Sequence, residues 1–510
     1  MASKTLRCDA AAVVGHLAGA GAPALRAFVE RQRWFAAKAR GLGIVRVEDW
    51  AALRDDPPLV LLLIRADEAR YYVPVALGPP PPDTVQTIGP LAGLALFDAH
   101  WHPDFGLCLL DAITSRRAFA SARGSFRCAP VDPWDHPSWD PPDRAPARPH
   151  TGEQSNTSIF FDRRLILKSI RRPESGINPD FEMLRFLTNR PGFTHVPRLA
   201  GWVEYAGPGE TATVALLQQF VANTGDGWTH TLAGLGSLCE KLAGAHGAAA
   251  VEPVAVESRV AALAVDLLAD VRELGAVTGR LHAALASDPD LPAFRPEPIT
   301  GEDVRRWRST IVQDLERLTD EIGVVSARNP SARAALAPLL EARARMERAD
   351  DLLPLADGTV HKIRCHGDYH LGQVLKTAES FVVIDFEGEP ARPAEERRAK
   401  QCPLRDVAGM LRSFDYAVHA ALAAHPEATR ARLRPALEAW ERQAVRAFLG
   451  GYGVAVGTSA DRLLPQSAEA ARRACAIFEL EKACYELRYE LNNRPDWIAI
   501  PLAGIVRLLA

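Results

Sequence analysis

The sequence predicts an α+β chain: an N-terminal α/β cap, then a β-rich lobe, then a helical lobe. Three observations carry that expectation. Residues 1 to about 112 look like a separate small unit, apolar runs of strand length concentrate between residues 59 and 220, and helical patterning takes over after residue 223. The expected division is 1–112 for the cap, 113–222 for the β-rich lobe and 223–510 for the helical lobe.

In the cap, Ala24 to Phe35 reads as a helix. Leu59–Ile64 and Tyr71–Leu77 read as strands either side of a polar turn. Pro79 to Pro82 is a stiff connector. Residues 129–149 hold seven prolines and cannot form regular helix. Ser158–Phe161, a turn at Asp162-Arg163-Arg164, and Leu165–Lys168 then read as a hairpin. Pro179–Leu187 reads as a helix, and Thr213–Phe220 as a buried strand. Helices are expected at 230–245, 255–287, 301–322, 331–350, 406–424, 430–452 and 467–491.

Composition excludes several classes. The 510 residues are 47% hydrophobic and 24% charged, as in ordinary globular proteins. A net charge of -3 argues against nucleic-acid binding by bulk electrostatics. No apolar run reaches the length of a membrane span, and the start is too short and too acidic for a secretion signal. Eight scattered cysteines without a C-x-x-C suggest reduced thiols in a cytoplasm and no zinc site.

The chemistry concentrates in His366-Gly367-Asp368-Tyr369-His370-Leu371-Gly372-Gln373, with Asp385-Phe386-Glu387 twelve residues further on. Phosphoryl transfer by protein kinases uses H-R-D-x-x-x-x-N and a metal-binding Asp on the next hairpin. His366, Asp368 and Gln373 fall in that register, with Gln in place of Asn. Phe381–Ile384 reads as the strand that delivers Asp385. In such a site Asp368 would take the proton of the attacking hydroxyl, so it must lie within hydrogen-bond reach of it. Asp385 would hold Mg²⁺ on the phosphates of ATP, and Gln373 would offer an amide oxygen to a second ion or make an ordering contact. Asp406, at the start of a helix, would accept backbone N–H groups of the catalytic loop, cap that helix, or do both.

The nucleotide side is expected upstream. His150–Ser158 would cover the phosphates, with Gln154, Ser155, Asn156 and Thr157 supplying polar groups. Lys168, at the end of the second strand, would contact the α/β-phosphates, and Glu182 on the following helix could pair with it. Gln219-Phe220-Val221 would form the hinge that reads adenine, through Gln219 and Val221. On the acceptor side, Glu479, Lys482, Glu486, Tyr489 and Asn493 share one helical face, with Tyr485 and Glu490 beside it. Such a face suits a sugar, whose hydroxyls want hydrogen bonds and whose ring packs on an aromatic. Solvated i,i+4 ion pairs would give the same pattern. His366 and Asp368 complete the expected substrate set.

These stretches resemble the bacterial maltokinases. So do Gly152–Ser158, Gly176-Ile177-Asn178-Pro179-Asp180, Asn223–Trp228, Asp385–Pro390, Leu404–Tyr416 and Tyr485–Pro501. The resemblance spans roughly residues 20 to 510. It implies a bilobal protein-kinase-like fold with an N-terminal cap, similar to aminoglycoside phosphotransferases. It also implies ATP-dependent phosphorylation of the anomeric hydroxyl of maltose, yielding maltose 1-phosphate for α-glucan synthesis from trehalose. Asp368 is then the base, Gln373 and Asp385 the metal ligands, and Lys168 a phosphate contact. Related kinases act on glucosamine or other sugars with similar ATP machinery, and an aminoglycoside is a further acceptor class. A nucleotide- or sugar-binding pseudokinase is the non-enzymatic alternative, against which intact Lys168, Asp368, Gln373 and Asp385 argue. The family's domain also occurs fused behind trehalose synthase, which implies association with that enzyme; this chain, with Met1 and no glucosidase-like barrel, is expected to be free-standing.

Overall fold

A computed structural model describes residues 8–35, 42–132, 147–150, 156–190, 192–244, 253–326, 330–348, 350–390 and 392–509. Most of the proline-rich stretch lies outside the described residues, as does Thr151–Ser155 with Gln154 and Ser155. The fold class is the expected one, with sheets in the N-terminal part and helices in the C-terminal part. The chain divides into two compact units, residues 1–189 with 197–222, and residues 190–196 with 223–510.

The first unit holds two antiparallel sheets. One joins Val45–Asp55, Pro58–Ala66, Val75–Gly78, Leu94–Asp98 and Thr87–Leu91 in that order, with Ala69–Tyr72 paired to Pro58–Ala66. Pro58–Ala66 is buried almost throughout, which is why its sequence is a continuous apolar run rather than an alternating one. Helices Ala10–Ala18 and Ala22–Arg31 cover this sheet with Val13, Leu17, Leu25 and Phe28. The other sheet runs Ala118–Ala120, Ser125–Pro130, Leu199–Gly207, Glu210–Gln219, Leu165–Ser169, Thr157–Phe161 and Ala147–Pro149. The expected hairpin is present in register, with Ser158 opposite Lys168.

Arg171 ties the two sheets together. Its guanidinium pairs with buried Asp98 and donates to Thr157 Oγ1 at 2.8 Å, while its carbonyl accepts from Tyr72 N at 2.9 Å. His100 bridges Asp98 and Ser169 at 2.6 and 2.7 Å. A buried charge is tolerable only when paired and hydrogen-bonded, and this cluster meets that condition.

The second unit is helical. Leu404–Ala423 is buried on nearly every face. Val265–Leu285 lies against Glu427–Val456 so closely that a Cβ on Gly451 would stand 1.9 Å from Arg272 O. A Cβ on Gly275 would likewise stand 2.0 Å from Phe448 O, so glycine is what permits this crossing. The expected single helix over 255–287 is instead two, Pro253–Leu263 and Val265–Leu285. They break at Ala264, whose ψ of 23° leaves the helical region. Hydrophobic spacing continues across the break, so periodicity alone does not reveal it. The hairpin of Val374–Lys376 and Phe381–Val383 lies beside the loop that begins at His366.

Candidate active site

The loop from His366 to Gln373 is fixed from below. Asp406 accepts the backbone N–H groups of His366 at 2.8 Å and Gly367 at 3.0 Å, and its Oδ2 also meets His282 Nε2 at 3.0 Å. Burial works against the ionised form of Asp406, but the His282 contact and the loop amides outweigh it and hold its carboxyl below the usual range. Of the two roles open to Asp406, it therefore performs the loop-holding one. Leu371 N donates to Ser413 Oγ at 3.1 Å, and Gly409 leaves room for Tyr369 O, which would lie 2.5 Å from a Cβ there. Gly367 sits at φ +83°, where a side chain would be strained.

His366, expected in the substrate set, turns its ring toward main chain. Its Nε2 meets Ile384 O at 2.9 Å, its Nδ1 accepts from Asp368 N at 3.3 Å, and its ring packs on Phe386 and Tyr369. Both ring nitrogens are committed to main chain, so His366 joins the catalytic loop to the hairpin strand.

Asp368 Oδ1 lies 2.7 Å from Lys482 Nζ, which also lies 2.9 Å from Glu389 Oε1 and above the Tyr485 ring. Burial pushes the Asp368 carboxyl up, yet Lys482, His370 and His366 overcome it and hold it at about 2. Lys482 is held well above its ordinary value: desolvation opposes its charge, but the two carboxylates prevail. Asp368, Glu389 and Lys482 share a cavity of about 230 Å³ with Trp307, Arg405 and Phe478. A concave site with convergent polar groups and aromatic walls suits a small polar ligand.

Gln373 Nε2 is 3.3 Å from Asp385 Oδ2, and the pairing of Val374 with Val383 sets that approach. Asp385 adopts φ +65°, uncommon for a residue with a side chain and a form of strain that gathers at functional sites. The Asp385 carboxylate is a hard oxygen donor of the kind Mg²⁺ accepts, and Gln373 turns its amide nitrogen toward it.

The expected acceptor helix, Ala468–Asn493, splits in its roles. Lys482 reaches Asp368, but Glu486 accepts twice from buried Arg412, at 3.0 and 2.7 Å. Glu490 accepts from Arg494 at 2.9 and 2.7 Å and from Tyr416 at 3.4 Å. Neither residue lines the cavity with Asp368, and neither does Glu479. Tyr489 is exposed under the Arg494 guanidinium. Glu486 and Glu490 thus serve the packing of the helix. The sequence reading missed Glu481, which takes Arg392 at 3.2 Å and pairs with Arg405. It also missed Glu389, Trp307 and Arg405. The helix chosen from the sequence does line the cavity, through Phe478, Glu481 and Lys482.

Glu479 gives a prediction. Desolvation pushes its carboxyl up to about 7, against 4.5 for an ordinary Glu, although Arg412 and Arg507 pull the other way. A raised carboxyl favours the folded state least when ionised, so stability falls as pH rises from about 4.5 through about 7. Glu479→Gln should therefore raise the unfolding free energy at pH 8 by on the order of 3 kcal/mol, with a much smaller gain at pH 5. Thermal melts at both pH values check this. Equal gains at both would contradict it.

The first unit carries the other expected residues. Lys168 Nζ lies 3.0 Å from Asp180 Oδ2, with both side chains largely buried. Asp180 was not selected from the sequence. It stands in the first turn of Pro179–Thr188, a helix capped by Asn178, two residues before half-buried Glu182. Positions two apart on a helix face different ways, and spacing alone did not choose between them. Asn156 Oδ1 accepts from Arg171 N at 3.2 Å, and Thr157 takes the Arg171 guanidinium, so both side chains turn toward Arg171. Gln219 pairs with Leu165 and donates its N–H to Arg198 O at 2.9 Å, and half-buried Val221 follows.

Residues 146–436 match the phosphotransferase enzyme family, more than half of the chain. The chain belongs to that family. Residues 28–101 of this phosphotransferase also match the maltokinase N-terminal cap domain. It is 27% identical to a glucosamine kinase of Streptacidiphilus jiangxiensis over 71% of this chain and 75% of that one. It is 27% identical to a glucosamine kinase of Mycolicibacterium smegmatis (strain ATCC 700084 / mc(2)155) over 81% and 91%. A solved glucosamine kinase in complex with glucosamine, ADP and inorganic phosphate shares the fold, with a TM-score of 0.59, 21% identity, and 95% and 99% of the two chains covered. The phosphotransferase is thus a kinase with a maltokinase-type cap. No single helix among its described residues is long and apolar enough to cross a membrane.

Proposed function

We propose that this kinase transfers the terminal phosphoryl group of ATP to the anomeric hydroxyl of maltose, giving maltose 1-phosphate and ADP. The product would feed α-glucan synthesis from trehalose, in a cytoplasm and alongside a trehalose synthase. The observation that carries the choice of a neutral sugar is Lys482, an ammonium placed 2.7 Å from Asp368 in the cavity. An amine-bearing acceptor needs carboxylates to spare. Here Asp368 and Glu389 hold Lys482, Glu389 also holds Arg392, and Glu481 holds Arg392 and Arg405. The maltokinase-type cap supports maltose among the neutral sugars.

In this reading Asp368 accepts the hydroxyl proton as the acceptor oxygen bonds to phosphorus and the bond to the ADP oxygen breaks. Lys482 donates to an acceptor oxygen beside the base, and Tyr485, whose ring lies under Lys482, offers apolar surface to the sugar. Lys168, held by Asp180, would steady the phosphates, and the backbone at Gln219 and Val221 would read adenine. Asp385 and Gln373 would hold Mg²⁺, which when bound neutralises phosphate charge.

A second reading has one support: the two relatives above are named glucosamine kinases. Mg-ATP turnover across maltose, glucose, trehalose, glucosamine and an aminoglycoside, followed as ADP release, separates the two. The proposal expects the highest kcat/KM for maltose. A preference for glucosamine or the aminoglycoside would overturn it.

A further inference from the structure

Glu389 follows a glycine at φ +71°, where a Cβ would press against Arg397 at 3.3–3.5 Å. Arg397 in turn donates to Glu387 O at 2.9 Å and Arg392 O at 3.1 Å, and Arg392 N closes a turn onto Glu389 O at 3.0 Å. These contacts fix a buried carboxylate whose Oε1 faces Lys482 and whose Oε2 takes Arg392 Nε at 2.7 Å. From the base outward, charges alternate: Asp368, Lys482, Glu389, Arg392, Glu481, Arg405.

An ammonium has three N–H donors, and two here go to different carboxylates. With Asp368 as its sole partner, Lys482 would be held tightly against the base, and an incoming hydroxyl would have to displace it. Glu389 offers a second anchor, so Asp368 can turn to the hydroxyl while the ammonium stays paired. The same pair leaves a permanent cation beside the base. An acceptor carrying its own ammonium would meet like charge in a desolvated cavity, where repulsion is strong.

We propose that Glu389 is a positioning residue that shares Lys482 with the catalytic base, and that the Glu389–Lys482 pair excludes amine-bearing acceptors. The first half rests on Asp368 being the base, the second on the acceptor being a neutral sugar.

The test uses the full chain with Mg-ATP and the variants Glu389→Gln, Glu389→Asp and Lys482→Met. Glu389→Gln should lower kcat by roughly 10- to 100-fold on the acceptor the wild type prefers, with the KM for ATP within about twofold. Glu389→Asp should recover part of that loss, which a purely structural role would not require. Lys482→Met should raise the ratio of kcat/KM for glucosamine to that for the neutral sugar by at least about tenfold. If Lys482→Met turns over neither sugar, the same ratio is read from calorimetric dissociation constants. A wild-type kcat in Glu389→Gln overturns the positioning role, and an unchanged or lower ratio in Lys482→Met overturns the exclusion. A wild type that works on glucose or trehalose instead of maltose contradicts the choice of maltose alone, because both variant readouts then run on that neutral sugar. A wild type that prefers glucosamine contradicts the exclusion as well.

Discussion

Asp368→Asn should lower turnover about 10³-fold while leaving nucleotide affinity within about twofold of wild type. Asparagine keeps the size and the Lys482 contact at one oxygen, but it cannot take up a proton. Phosphoryl transfer is mostly positioning and charge neutralisation, so some rate should survive without the base. The loop itself should persist, because Asp406, Ser413 and Gly409 hold it through main chain rather than through Asp368. Steady-state kinetics and nucleotide titration of the same preparation separate the two effects. Retained turnover would show that Asp368 is not the base.

Asp385→Ala should abolish measurable turnover and remove the Mg²⁺ dependence of nucleotide binding. The carboxylate is the charged member of the pair it makes with Gln373. Its φ of +65° is a conformation that a non-glycine residue adopts at a cost on the order of 1–3 kcal/mol. Strain of that size persists where the surrounding structure holds it, here the hairpin pairing and the Ile384 amide, which donates to Gln373 O at 3.0 Å. Alanine meets the same positive φ without relief, so a thermal melt of the variant beside wild type separates loss of binding from loss of fold. Titrating nucleotide with and without Mg²⁺ tests the assignment. Unchanged metal-dependent binding would remove Asp385 from the metal site.

The sequence made the catalytic loop legible because loop chemistry is local. The spacing of His366, Asp368, Gln373 and Asp385 survives in one dimension, as does the hairpin that puts Val374 opposite Val383. Strong periodicity likewise marked the long helices of the second unit. Short edge strands such as Ala118–Ala120 carry too few residues to show a period, and Val45–Asp55 is interrupted by register shifts that break its alternation.

The cavity beside Asp368 was only half legible. Lys482 lay on the selected helix, but Glu389, Arg392 and Glu481 meet it or its partners through tertiary contacts that no spacing encodes. Glu486 and Glu490 looked like ligand groups because a carboxylate reads the same whether it meets a sugar or a buried arginine. Arg412, more than seventy residues earlier, decides that Glu486 meets the arginine. The main-chain contacts of the His366 ring were hidden for a related reason: they appear only when Ile384 is folded beside it.

The most direct test of the central claim is the product itself. Wild-type protein is incubated with Mg-ATP and maltose, and the phosphate is located by NMR. A phosphate on the anomeric oxygen, formed in step with ADP, is the predicted result. ADP formed only with another acceptor, or a phosphate on any other maltose hydroxyl, would contradict it.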